Sequence, residues 1–144
     1  MNVLVVPTNR PESAAEFLAA WRPWPWDRIV IVEDAPDLSC DETDDRVTRY
    51  CWRDIDASLP QPAIISRRDS AIRAFGFWKA WQMGADYIFT LDDDCFPTGP
   101  DYVEQHMRNL ESTPRWGSTV RHLRVRGLPY RNVSVLPDVY VSLG

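Results

Sequence analysis

Short apolar runs alternate with stretches of helical periodicity in the first third of the chain. Continuous runs rich in β-branched residues predict buried strands over Asn2 to Val6 and over Arg28 to Val32. Between them, apolar residues at helical spacing predict a helix over Glu12 to Trp21. A weaker alternation predicts a third strand over Arg46 to Trp52.

The middle of the chain continues the alternation of helices and strands. Ser66 to Asp69 has the form of a capping box, and apolar residues from Ala71 to Trp81, including Trp78, recur at helical spacing until Gly84 ends the pattern. A buried strand is predicted over Tyr87 to Leu91, and a further helix over Pro100 to Leu110. Strands separated by helices predict an α/β fold with a mostly parallel sheet flanked by helices.

Composition agrees with one folded domain over residues 1–144. Apolar residues make up 44% and charged residues 26%, which is ordinary globular usage. No run is long enough for a signal peptide or a membrane span, so we expect a cytoplasmic protein. The three cysteines contain no CxxC pair, which favours free thiols. Beyond residue 111 the pattern weakens to short predicted strands at 118–125 and 133–141, and the last residues suggest that the chain is truncated.

The charge is unevenly distributed. Residues 1–111 carry 20 acids and 11 bases, whereas residues 112–137 contain five arginines and no acid. An acidic chain without interleaved stacking aromatics is not typical of nucleic-acid binding. The basic segment from residue 111 onward is either a solvated surface or a partner for a small molecule that carries phosphate. Arg67, Arg68 and Arg73, at the start of the predicted helix, are either a cap and ordinary helix-surface charge or further partners for the phosphate.

Polar clusters follow three of the predicted strands directly. These are Pro7 to Arg10, Glu33-Asp34 and Asp92 to Asp94. Ligands of parallel α/β sheets bind outside the carboxyl ends of the strands, so the clusters should converge on one edge. In extended geometry Asp92 and Asp94 would point to one side as hard oxygen ligands for Mn²⁺ or Mg²⁺ on a diphosphate, while Asp93 would face away. Alternatively, the three aspartates are solvated or cap the next helix.

Several segments together resemble the reversibly glycosylated polypeptide family, whose best-known members are plant UDP-arabinopyranose mutases. The segments extend over nearly the whole chain, and the region around the three aspartates is the most specific. They include residues 6–10, 31–34, 68–76, 87–96 and 125–127.

The resemblance implies a GT-A-like, Rossmann-like nucleotide-sugar-binding domain, incomplete relative to the family. It implies that the triplet of Asp92, Asp93 and Asp94 holds a divalent metal on the UDP diphosphate, with Asp92 and Asp94 as the predicted metal ligands. It also implies that Arg126, in a Val-Arg-Gly context, becomes reversibly glycosylated. Asp93 joins Arg126 as a predicted catalytic residue. The predicted nucleotide-binding residues are Pro7, Thr8, Arg10, Asp34, Asp54, Arg68 and Asp69.

The resulting hypothesis is a metal-dependent enzyme acting on a UDP-sugar. It is either a mutase that interconverts pyranose and furanose forms or a glycosyltransferase. The alternative is a noncatalytic UDP-sugar-binding subunit or an inactive fragment. Arg126 is either the nucleophile or only a neutralising charge for the diphosphate. No nucleic acid or membrane is expected as a partner, and both homo- and hetero-oligomers are compatible with the sequence.

Overall fold

A four-stranded parallel sheet organises the first 97 residues. Its strands are β1 (Asn2–Thr8), β2 (Arg28–Glu33), β3 (Val47–Tyr50) and β4 (Tyr87–Thr90), in the spatial order β3-β2-β1-β4. All three neighbouring pairs are parallel, so the carboxyl ends of the strands share one edge. The predicted α/β class with a parallel sheet is confirmed.

The computed structural model describes residues 1–97 and 99–111, and the chain divides into two compact units, Met1–Pro97 and Thr98–Gly144. The helices of the first unit are α1 (Pro11–Trp21), α2 (Trp52–Ser58) and α3 (Arg73–Gln82), with short 3₁₀ turns at Pro62–Ile64 and Ser70–Ile72. The second unit contains α4 (Tyr102–Glu111). The predicted strands at 118–125 and 133–141 lie outside the described residues.

The central strands β1 and β2 are buried on both faces, as expected for a parallel sheet between helices. On one face, the valines of these strands pack against Phe75 of α3 and against Ile72, which directly precedes α3. Ile55 of α2 belongs to the same cluster. On the other face, Phe89 of β4 contacts Trp26, which contacts Trp21 of α1. The continuous apolar runs in the sequence therefore reflect burial from two sides.

The start of α3 differs from the sequence prediction. Ser66 is not the N-cap; instead the Asp69 carboxylate accepts a hydrogen bond of 2.7 Å from the Ala71 N–H and caps the 3₁₀ turn that leads into the helix. The Ser66 hydroxyl donates a hydrogen bond to the Asp69 carboxylate. The predicted end is confirmed, since Gly84 has a φ of +81°. Trp81 fits the helical spacing of the apolar residues but is 68% exposed, because it lies on the solvent side of α3.

Two other elements were predicted incompletely. Helix α2 was missed, and its first residue, Trp52, was assigned to the strand over Arg46 to Trp52, which in fact ends at Tyr50. Strand β4 was expected to be buried, but only Phe89 is, and Ile88 is exposed. Within residues 1–97, β4 is at the edge of the described sheet, which explains its half-exposed pattern.

The single lysine of the chain joins α2 to α3. Lys79 places its Nζ 5.3 Å from the Tyr50 ring centre, 5.2 Å from that of Phe75 and 4.7 Å from that of Trp78. Its ammonium also donates a hydrogen bond of 3.2 Å to the Ser58 hydroxyl at the end of α2. Such cation–π contacts contribute about 0.5–2 kcal/mol, depending on how far the charge is desolvated.

The described residues contain no helix that is both long and apolar enough to span a bilayer.

The close approach of α3 to the sheet gives a stability prediction. A Cβ at Gly76 would lie 2.5 Å from Cγ1 of Val5 and 3.0 Å from Cγ2 of Val32, in the middle of the packed face. Helix propensity alone would make Gly76→Ala stabilising by about 1 kcal/mol. We expect the overpacking to reverse this sign and lower the free energy of unfolding by about 1–3 kcal/mol in urea denaturation.

Gly99 provides the matched control, because a Cβ there meets no atom within 4 Å. Gly99→Ala should change the free energy of unfolding by less than about 0.5 kcal/mol. An increase in stability for Gly76→Ala would show that α3 does not approach the sheet this closely.

Candidate functional site

A polar cavity of about 270 Å³ lies at the carboxyl edge of the sheet. It collects residues from the ends of β1, β2 and β4 and from the turn before α3. The lining residues are Pro7, Thr8, Asn9, Arg10, Asp34, Arg68, Asp69, Ser70, Ile72, Asp92, Asp93 and Asp94. The convergence expected from the three polar clusters is therefore present in the structure.

Asp93 joins the ends of β1 and β4. It is 5% exposed and accepts a hydrogen bond of 2.6 Å from the Thr8 hydroxyl and another from the Arg10 guanidinium. The Thr8 hydroxyl also accepts the Arg10 backbone N–H at 3.0 Å, so the turn after β1 is fixed by the same side chain. Two sequence-distant loops are thus held together through one carboxylate.

The electrostatics of this contact favour the ionised carboxylate. Burial by itself acts to raise the pKa of Asp93, but the hydrogen bonds from Arg10 and Thr8 outweigh it, and the pKa lies below its ordinary value. The hydrogen bonds to Asp93 and Asp94 raise the pKa of Arg10. Asp93 is thus a charged anchor in the described residues, and its predicted catalytic role stays a prediction.

The three aspartates form a turn and do not continue the strand. The Cys95 N–H donates a hydrogen bond of 3.0 Å to the Asp92 carbonyl, which closes a turn directly after β4. The extended geometry from which the alternation of side chains was inferred is therefore wrong. Asp92 and Asp94 nevertheless both line the cavity, with side chains 58% and 64% exposed.

Each exposed aspartate of this turn has an arginine partner. Arg73, at the start of α3, pairs with Asp92, and Arg10 reaches Asp94 at 3.2 Å in addition to Asp93. These pairs neutralise charges that would otherwise repel one another at the strand end. Arg73 at the start of this helix was expected to supply positive charge to a bound phosphate group, and in the structure it pairs with Asp92.

The other predicted nucleotide-binding residues fall into two groups. Pro7, Asp34, Arg68 and Asp69 line the cavity with Thr8 and Arg10. Asp54 does not: it is the third residue of α2, and its carboxylate accepts the Cys51 N–H at 2.7 Å as part of a capping box. Asp54 was predicted from the resemblance; its carboxylate takes part in the local cap, and its nucleotide contact stays a prediction. Arg126 lies outside the described residues.

Trp52 is the main contributor that the sequence did not indicate. Its indole Nε1–H donates a hydrogen bond of 2.7 Å to Oδ1 of Asp34, and the guanidinium carbon of Arg68 lies 5.8 Å from its ring centre. Both partners line the cavity. Among seven tryptophans, spacing gave no signal to separate this one from core residues.

A buried ion pair supports the loop that follows β2. Arg49 donates to the Glu33 carboxylate at 2.8 Å, and Glu33 also accepts the Ser39 N–H at 2.9 Å and its hydroxyl at 3.0 Å. Glu33 is 1% exposed and precedes Asp34 directly. The network therefore fixes the backbone from which Asp34 enters the cavity.

The cavity is suited to a ligand that carries both phosphate and hydroxyl groups. Arginines can bind phosphate oxygens, and carboxylates can accept hydroxyl or N–H groups. In the part of the chain that the structure describes, no three His, Cys, Asp or Glu side chains are grouped so that they could hold a metal ion. Asp92 and Asp94 supply two hard oxygen donors, so further oxygen ligands would have to come from the bound molecule or from water.

Comparisons with known proteins give a consistent result. The model of the family described as "Reversibly glycosylated polypeptide" matches residues 2–131. The chain is 36% identical over 130 residues to a protein named probable UDP-arabinopyranose mutase 2 from Solanum tuberosum. It is also 36% identical to proteins named UDP-arabinopyranose mutase 1 from Oryza sativa subsp. japonica, over 134 residues, and from Arabidopsis thaliana, over 130 residues.

These alignments cover 81% of the chain but 34% of each relative. The chain therefore spans about a third of the length of the curated relatives it matches.

The Thr8 to Asp93 hydrogen bond gives a testable prediction. Thr8→Val keeps the shape of the side chain but removes the donor to a buried carboxylate. We expect the free energy of unfolding, measured by urea denaturation, to fall by about 1–3 kcal/mol.

Thr48→Val makes the same chemical change at a half-buried position on β3 and serves as the control. It should alter the free energy of unfolding by less than about 0.5 kcal/mol. Equal effects of the two substitutions would contradict an anchoring role for the Thr8 hydroxyl.

Proposed function

Since this chain belongs to the reversibly glycosylated polypeptide family, we propose that its cavity binds a UDP-sugar and that the protein takes part in UDP-sugar chemistry of the mutase type. The observation that carries the proposal is the cavity itself. It combines residues from three strand ends that the sequence associated with a nucleotide, together with charges of both signs. The curated relatives are named UDP-arabinopyranose mutases, and this name supports a sugar nucleotide as the class of ligand.

The placement of charges supports one orientation of the ligand. Arg10 and Arg73 stand beside the aspartate turn at the end of β4, which favours the diphosphate at that side. Asp34 lies at the end of β2, and β1 separates the two strands. Two strand spacings amount to about 10 Å. The nucleoside would therefore lie toward Asp34.

Divalent metal use is part of the proposal. The exposed carboxylates of Asp92 and Asp94 fit a hard cation as oxygen donors, and the diphosphate would complete the ligand set. Mn²⁺ or Mg²⁺ bound there would neutralise negative charge on UDP as it leaves. Arg73 holds the Asp92 carboxylate and Arg10 holds that of Asp94 before the ligand arrives, while Asp93 keeps the turn against β1.

For the chemical step we propose Arg126 as the sugar acceptor, as the family resemblance implies. A guanidinium nitrogen would bond to the anomeric carbon as the bond to the UDP oxygen breaks. UDP would leave with the electron pair, and the nitrogen would lose a proton. Guanidinium is a poor nucleophile because it is normally protonated, so the alternative role is neutralisation of the diphosphate. Transfer to an external acceptor, and binding without catalysis, are the remaining alternatives.

Nucleotide binding should depend on a divalent cation. Titration calorimetry with UDP should show binding in Mn²⁺ that weakens by about tenfold or more in chelator, because Arg10 and Arg73 are already paired with Asp94 and Asp92 and leave the charge of a diphosphate uncompensated. Asp92→Asn and Asp94→Asn should weaken binding in Mn²⁺ by about 10- to 100-fold.

Asp41→Asn makes the same charge change at an exposed position of the loop after β2 and should leave the affinity unchanged. Equal affinity for UDP in Mn²⁺ and in chelator would reject the metal-dependent site.

Covalent modification can be tested separately. Intact-mass analysis after incubation with UDP-sugar and Mn²⁺ should show a pentose- or hexose-sized adduct that is absent from both Arg126→Lys and Arg126→Ala. Arg121→Lys lies in the same basic segment and should retain the adduct. An adduct that survives both Arg126 substitutions would reject this residue as the acceptor. UDP binding without any adduct would favour the electrostatic role.

A further inference from the structure

Trp52 occupies a fixed position beside the cavity. It is the first residue of α2, and the capping box of Cys51 and Asp54 determines where that helix begins. The Trp52 backbone N–H also donates a hydrogen bond of 2.9 Å to the Ala35 carbonyl, in the segment that follows β2. The ring is therefore attached through its own backbone to the loop that carries Asp34.

The N–H at the edge of the Trp52 ring holds the Asp34 carboxylate in one orientation. The indole Nε1–H donates to Oδ1 at 2.7 Å, and an indole has only this one donor. A carboxylate accepts about four hydrogen bonds, so this bond fixes the group and leaves capacity for donors of a ligand. A carboxylate held in this way is already oriented before binding, which reduces the conformational entropy that binding would otherwise lose.

The ring also contacts two successive arginines. The guanidinium carbons of Arg67 and Arg68 lie 5.2 and 5.8 Å from the ring centre, within the range of cation–π attraction. Arg67 also pairs with Asp56 of α2. Trp52 is thus in contact with both an acidic and a basic group of the cavity lining.

The backbone at Arg68 has an uncommon conformation next to the cavity. Arg68 has a φ of +63°, the left-handed region that side chains other than glycine rarely adopt. It is the one non-glycine residue with positive φ among the described residues. Such a conformation persists only where the surroundings impose it, and it occurs preferentially at ligand sites.

We infer that Trp52 is a positioning residue that sets the affinity of the cavity for the nucleoside part of its ligand, by holding Asp34 through its indole N–H and Arg68 against its ring. The inference rests on the proposed function, since it assumes a UDP-containing ligand. It adds a residue that lies outside the cavity lining and acts through two lining side chains. The diphosphate side, about two strand spacings away, does not depend on it.

Trp52→Phe tests the indole donor, because it keeps an aromatic face for the arginines and removes only the N–H and part of the ring. In titrations with Mn²⁺, this variant should bind UDP about tenfold more weakly than the unmodified chain. Its affinity for inorganic pyrophosphate should stay within about twofold of the unmodified value. Trp81→Phe makes the same change at a ring that is 68% exposed on α3, and it should leave both affinities unchanged.

A double-mutant cycle shows whether Trp52 acts through Asp34. Asp34→Ala alone should weaken UDP binding, and adding Trp52→Phe should cause almost no further loss, because the acceptor of the hydrogen bond is already absent. Independent additive losses would contradict the inference. Circular dichroism of each variant verifies that α2 and the sheet are retained.

A spectroscopic measurement makes the test independent of affinity. In ¹⁵N-labelled protein, the Trp52 indole resonance is identified by its disappearance in Trp52→Phe. It should shift when UDP is added and stay in place when pyrophosphate is added. Equal losses of UDP and pyrophosphate binding in Trp52→Phe would reveal a general structural effect and overturn the inference. If the unmodified chain binds pyrophosphate but not UDP, the proposed function itself fails.

Discussion

The contact of Asp93 with Thr8 and Arg10 is the interaction on which the site depends. β1 and β4 are neighbours in the sheet but 78 residues separate the end of one from the start of the other, so their following loops need a connection of their own. Asp93 provides it with a buried carboxylate that accepts bonds from both a hydroxyl and a guanidinium. Leaving such a group unpaired costs several kcal/mol, so the loops are strongly coupled. Asp93 is buried in this contact, while the aspartates on either side of it stay exposed at the cavity.

Much of the fold could be predicted because the strands carry a strong signal. The apolar runs of β1 and β2 are long, rich in valine and isoleucine, and interrupted by clear polar segments. Short elements gave weaker signals: α2 has only seven residues and follows β3 closely, and its first residue, Trp52, was assigned to the strand. Trp78 and Trp81 both fit the helical spacing of apolar residues, and tertiary packing alone decides that Trp81 faces solvent.

The site could be predicted at the level of segments but not of individual contacts. Strand ends in a parallel sheet meet at one edge by geometry, which is why the positions of Thr8, Asp34 and Asp92 along the sequence were enough to group them. A carboxylate near a helix start has two possible uses, and Asp54 shows that a local cap can account for it. The role of Trp52 depends on the direction of its indole N–H and on the left-handed backbone of Arg68. Neither has a signature in sequence spacing.

The aromatic surroundings of Lys79 have a consequence for the chemical reactivity of the protein. Reagents that acylate side-chain amines find one lysine in the whole chain, and its ammonium is enclosed by three rings and bonded to Ser58. Acylation requires the neutral amine and removes its charge, so the modified side chain would lose the cation–π contacts that join α2 to α3. The rate at which Lys79 is acylated therefore reports how firmly these contacts hold the ammonium between α2 and α3.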